Sequence, residues 1–111
     1  MSYSEYLKHI LDEAEYIISK SKGLKKNSFL KDETLKRAFV RSIEIIGEAV
    51  KRLPEDFRKK HSAVDWRAIA GTRDKLIHDY FGIDYDIVWD IVIDEIPELR
   101  KHIKKFLKDR G

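Results

Sequence analysis

The spacing of its apolar residues restricts the fold of this chain more than any other feature. Leu7, Ile10, Leu11, Ala14, Ile17 and Ile18 recur every three or four residues, laying one apolar stripe along a helix from about Ser4 to Lys20. The same spacing returns in Leu35, Ala38, Phe39, Ile45, Ile46, Ala49 and Val50, and in Trp66, Ile69, Ala70, Leu76 and Ile77. It returns a last time from Ile87, Val88, Ile91 and Val92 into Ile96, Leu99, Ile103, Phe106 and Leu107. Alternation at period two is absent over any useful length, so no strand pattern competes. The expectation is an all-α, up-and-down bundle of four main helices with a short connecting helix. At 111 residues, with no repeat and no linker, residues 1–111 read as a single helical domain.

Caps and breakers set the boundaries. Gly23 stops the first helix, and Ser21 to Lys31 is polar, lysine-rich and aperiodic apart from Leu24, Phe29 and Leu30, so it reads as the longest loop. Asp32 caps a second helix running to about Leu53. Pro54 fits the first turn of a short helix that ends near His61, with an irregular joint from Ser62 to Val64. Asp65 caps a third helix, Trp66 to Tyr80 or Phe81, which Gly82 ends. Asp84 opens the last region. Pro97 removes a backbone donor there, which predicts a kink or short break near Asp94 to Ile96.

Composition narrows the chemistry. Hydrophobic residues are 42% and charged residues 39%, the balance of a folded chain rather than a disordered or membrane-embedded one. No run approaches the roughly 20 apolar residues a bilayer span needs, and the N-terminus lacks a secretory pattern, so a cytoplasmic location is expected. With no cysteine, thiol catalysis and thiolate metal sites are excluded. His9, His61 and His102 have no metal-ligand spacing and read as surface histidines; no metal and no cofactor is expected. The net charge of +3 is unevenly spread: Asp84 to Glu98 holds six acids and no Lys or Arg, whereas Arg100 to Arg110 holds six Lys or Arg and one acid. That basic end suits the helix dipole, and it is either a solvated face or a contact for a polyanion.

The candidate site is Gly71 to Tyr80, where Arg73, His78 and Tyr80 lie close together. A guanidinium presents planar donors that match a phosphate, and an imidazole exchanges a proton near neutral pH. Together they suffice for metal-free cleavage of RNA. The histidine moves the proton of the ribose 2′-hydroxyl or of the leaving oxygen, and the arginine stabilises charge on the phosphoryl oxygens. At about 100° per residue, His78 lies roughly 140° round a helix from Arg73, while Tyr80 nearly shares the Arg73 face. Either the helix ends or distorts near His78, or a second copy completes the site across a two-fold axis; the dimer is the favoured reading. On spacing alone, an arginine and a histidine next to Asp74 and Asp79 also fit local surface ion pairs.

At these residues the chain resembles the HEPN superfamily, and within it the HepT toxins of toxin–antitoxin pairs. The family signature of Arg, a polar residue, three more, His, any residue and Tyr reads here Arg73-Asp74-Lys75-Leu76-Ile77-His78-Asp79-Tyr80. Ile46-Gly47-Glu48-Ala49, Leu53-Pro54, Trp66 and Val88-Trp89 match as well, so the likeness covers nearly the whole chain. The resemblance implies a homodimeric four-helix bundle and a metal-independent endoribonuclease toxin. In it Arg73 orients the phosphate, His78 is the acid and base, and Asp74 supports the site. It also implies a partner, a nucleotidyltransferase (MntA-like) antitoxin that transfers AMP onto Tyr80. An adenylate there adds bulk and negative charge to a cleft built for a phosphate. Two other functions compete: a non-catalytic nucleotide- or substrate-binding subunit of a minimal nucleotidyltransferase, and a helical module whose motif serves dimerisation alone.

Overall fold

A computed structural model describes residues 3–76 and 82–109, with the backbone alone at 73 and 74. Among these residues the fold is all-α, with no strand element. Helix α1 (Tyr3–Ser21) buries Leu7, Ile10, Ala14 and Ile17. After the short α2 (Lys26–Lys31), α3 (Glu33–Lys51) buries Phe39, Val40, Ile43, Ile46, Ala49 and Val50. Then follow α4 (Glu55–Lys60), α5 (Trp66–Ala70), α6 (Thr72–Leu76), α7 (Tyr85–Asp90), a π-helical turn at Ile91–Glu95, and α8 (Ile96–Asp109). α1 packs on both α3 and α8, and α3 also carries α5 and α6. No helix among the described residues is long and apolar enough to cross a membrane.

The two expected caps, at Asp32 and Asp65, are formed, and Asp84 supplies a third. Oδ1 of Asp32 accepts from the Leu35 amide at 2.9 Å and Oδ1 of Asp65 from the Ala68 amide at 3.0 Å. Asp84 accepts from the amides of Asp86 and Ile87 at 3.0 and 3.2 Å. Each such cap stabilises by about 1 kcal/mol. Gly23 and Gly82 have φ of 71° and 88°, the left-handed conformation in which a Cβ is strained.

Three expectations on element boundaries need correction. The stretch expected to be the longest loop contains α2, because Phe29 is a core residue: it is fully buried and its ring lies 5.6 Å from Phe39 and 5.4 Å from Trp89. Burying such a ring is worth roughly 1.5–3 kcal/mol, enough to order a segment too short to show periodicity. The third helix is not continuous from Trp66, since Gly71 adopts φ −87°, ψ 3° and divides α5 from α6. The expected kink at Pro97 takes the form of the π turn. The Ile96 amide donates to the Ile91 carbonyl five residues back, and α8 continues from there without a gap. This wider turn accommodates a proline that has no N–H to donate to the carbonyl four residues before it.

His9 is exposed as expected, but His61 and His102 are half-buried. The His61 ring lies 4.5 Å from Phe57 and 4.3 Å from Phe106, and the His61 carbonyl accepts from Trp66 Nε1 at 2.9 Å. This aromatic group fastens α4 and the start of α5 to the end of α8.

Candidate functional site

The mount of the motif is built from α3, α5 and α6. Trp66, 5% exposed, anchors the start of α5 in the aromatic group just described. At the other end of α5 the Gly71 amide donates to the Arg67 carbonyl at 3.0 Å, and Thr72 Oγ1 donates to the Ala68 carbonyl at 3.1 Å. Thr72 and Leu76 are both buried, so α6 is pinned by its inward face. What brings α5 close to α3 is Gly47: a Cβ built there would lie 3.5 Å from the Ile69 carbonyl oxygen and 3.6 Å from that of Ala70. The two backbones lie near enough that a methyl at this position would sit in ordinary contact with both carbonyls.

Arg73 and Asp74 are carried on the backbone of α6. The chain leaves the described residues after Leu76 and re-enters at Gly82, and there the Asp84 amide donates to the Leu76 carbonyl at 3.0 Å. Both ends of the segment bearing His78 and Tyr80 are therefore held together. The side chains of Arg73 and Asp74, all of His78 and Tyr80, and the convergence expected of them lie outside the described residues, as does the expected distortion near His78.

The exit of that segment is tied to the rest of the fold by a contact the sequence did not announce. Lys36 Nζ donates to the Leu30 carbonyl at 3.1 Å and to Glu33 Oε1 at 3.0 Å, and it lies 4.5 Å over the Tyr85 ring. Lys26 Nζ meets Asp86 Oδ1 at 3.0 Å, and the carboxylate raises the Lys26 ammonium above its ordinary value. The α2 segment thus holds the first turn of α7.

Two clefts flank α5. One, of about 210 Å³, is lined by Arg41, Glu44, Gly47, Glu48, Lys51 and Ala70. The other, of about 440 Å³, is walled in part by Asp65, Lys75, Asp94, Glu95, Glu98 and His102. Among the described residues no group of three or more His, Asp or Glu side chains is arranged to hold a metal. Sequence reasoning overlooked Arg41 and Glu44; their signal was a charged stripe on α3 opposite its apolar one. In the basic C-terminal stretch, Arg100 Nε is held by Glu15 at 3.0 Å and Lys101 by Glu98 at 3.3 Å, while Lys104, Lys105 and Lys108 are exposed.

Comparison with known proteins points in one direction. The family model described as "Ribonuclease HepT-like" matches residues 10–106. The chain is 58% identical over 103 residues to "Putative RNase TTE0752" of Caldanaerobacter subterraneus subsp. tengcongensis, covering 93% of this chain and 92% of that protein. It is 48% identical over 104 residues to "Putative RNase MJ0127" of Methanocaldococcus jannaschii, covering 94% and 86%. It is 39% identical over 107 residues to "Probable ribonuclease HepT" of Thermococcus cleftensis, covering 96% and 97%. No solved structure matches it.

Proposed function

The chain belongs to the ribonuclease HepT-like family, and from that premise we propose that it is a metal-independent endoribonuclease acting as the toxin of a toxin–antitoxin pair. Its signature residues Arg73, Asp74, His78 and Tyr80 are all present. The observation that carries this reading is the family match over 10–106 with an intact sequence motif, whose first two residues lie on α6.

In the proposed reaction His78 takes the proton of a ribose 2′-hydroxyl, the 2′-oxygen bonds to the adjacent phosphorus, and the 5′-oxygen leaves with a proton. Arg73 stabilises the charge gathered on the non-bridging oxygens, and Asp74 supports the arginine. A homodimer brings two histidines to one cleft, which supplies a base and an acid together. The reaction needs the 2′-hydroxyl, so DNA is inert to it. Regulation is assigned to Tyr80. A nucleotidyltransferase antitoxin transfers AMP from ATP to the phenolic oxygen, releasing pyrophosphate, and the added phosphate opposes an RNA phosphate in the same cleft.

The test is cleavage of a labelled RNA by the purified, unmodified protein in the presence of EDTA. Cleavage by the wild type and its loss in Arg73→Ala and in His78→Ala are expected. Full activity in both variants would refute the assignment.

A further inference from the structure

The outer face of α3 carries a second feature that the motif does not explain. Arg41, and Arg52 at the C-cap of α3, stand about three turns apart and at nearly the same angle round the helix, roughly 16 Å along its axis. They line a cleft of about 280 Å³ between α3 and α1, together with Tyr6, His9 and Glu48. Neither arginine makes an ion pair or a side-chain hydrogen bond among the described residues, whereas the Glu48 carboxylate faces Lys51 at 3.5 Å. This cleft shares Arg41 and Glu48 with the one beside Ala70, at the end of the helix that leads into Arg73. The two clefts therefore adjoin, and Arg41 stands where they meet.

A guanidinium with no carboxylate partner keeps its planar donors free, and that fork fits a phosphate in two-point contact. Two such groups on one face, with a half-buried tyrosine ring and an exposed histidine opposite, suit a single strand of nucleic acid: cations for its backbone and an aromatic face for a base. We infer that the α1–α3 groove holds the RNA strand next to the phosphate being cleaved, with Arg41 and Arg52 as phosphate contacts and Tyr6 as a base platform. The inference rests on the ribonuclease reading and adds to it a substrate-positioning surface outside the motif.

The experiment uses a fluorescein-labelled single-stranded RNA of mixed sequence. Binding is measured on a His78→Ala background, which removes the proposed acid and base, and cleavage on the otherwise wild-type chain. Arg41→Gln and Arg52→Gln are each expected to weaken binding and raise KM by about tenfold with kcat kept. Each should also lower the slope of log affinity against log salt by about 0.7. Glu48→Gln should act in the opposite direction and tighten binding, an effect that damage to the fold does not produce. Arg41→Lys should recover part of the loss, and circular dichroism melts establish that the variants are folded. An active enzyme whose KM, RNA affinity and salt slope are unchanged in the double Arg→Gln variant would remove the groove and leave the ribonuclease reading standing. Arginine-dependent RNA binding without cleavage by the wild type would do the reverse. A change of oligomeric mass in Arg41→Gln at constant RNA affinity would assign the face to a second copy of the chain and overturn the inference.

Discussion

The Asp84 amide donates to the Leu76 carbonyl at 3.0 Å, so one hydrogen bond closes the base of the segment that carries His78 and Tyr80. The Asp84 side chain meanwhile caps α7 through the amides of Asp86 and Ile87. One residue thus ends the motif segment and begins the next helix. Asp84→Ala should lower stability by about 1 kcal/mol in urea unfolding and reduce RNA cleavage, while Asp84→Asn, which keeps the capping oxygen, should stay near wild type. Equal stability in the alanine variant would count against the cap.

Gly47 separates two kinds of substitution. Its Cβ position meets the Ile69 and Ala70 carbonyl oxygens at ordinary contact distance, and alanine gains up to about 1 kcal/mol over glycine in a helix interior. Gly47→Ala should therefore be neutral or slightly stabilising. Gly47→Val places two further carbons against that backbone and should cost about 1–3 kcal/mol by overpacking, read as a lower melting temperature. A valine variant as stable as the alanine one would show that α5 is free to retreat from α3.

For the proposed chemistry, His78→Ala should reduce cleavage by roughly 10²–10⁴-fold, the usual worth of a positioned acid or base. EDTA should leave the wild-type rate unchanged. A rate that falls with EDTA and returns on adding magnesium would replace the metal-free mechanism with a metal-dependent one.

Under the proposed regulation, incubation with ATP and a nucleotidyltransferase of the proposed antitoxin type should raise the intact mass by one or more AMP units and suppress RNA cleavage. Tyr80→Phe has no phenolic oxygen to modify and should show neither change. A mass gain that persists in Tyr80→Phe would move the modification to another residue.

Lys36 offers a test away from the motif. Its ammonium is held between the Leu30 carbonyl, Glu33 and the Tyr85 ring, and its side chain is only 12% exposed. Lys36→Met keeps the stem and removes the charge, so about 1–2 kcal/mol of stability should be lost. Unchanged unfolding would mean that the apolar stem alone secures the contact.

The long amphipathic helices and their caps were legible in the sequence because they follow local rules: Asp32 and Asp65 stand where an N-cap must, and each accepts an amide three residues on. The helix α2 was not, because its order comes from Phe29 packing on Phe39 of α3 and Trp89 of α7, residues on other helices. His61 was misplaced at the surface for the same reason, since Phe106 of α8 packs on its ring, whereas His102 stacks on Phe106 one turn along its own helix. The motif itself was visible as residue types at a spacing. Its mount depends on the approach of α5 to Gly47 and on the bond from Asp84 to Leu76, neither of which leaves a periodic trace.

The π turn at Ile91–Glu95 has a consequence for the phase of the last helix. Glu95 stands seven residues, about two helical turns, after Val88, which is fully buried, so an unbroken α-helix would rotate the glutamate toward the core; instead Glu95 is exposed. The turn behaves as a one-residue insertion that the helix absorbs by widening. It uncouples the rotational setting of α7, which follows the motif segment, from that of α8, which packs along α1. Removing one residue between 91 and 95 would bring the buried Ile96 to seven residues after the buried Val88, the spacing a regular α-helix keeps on one face, so α7 and α8 would keep their seats on an unwidened helix.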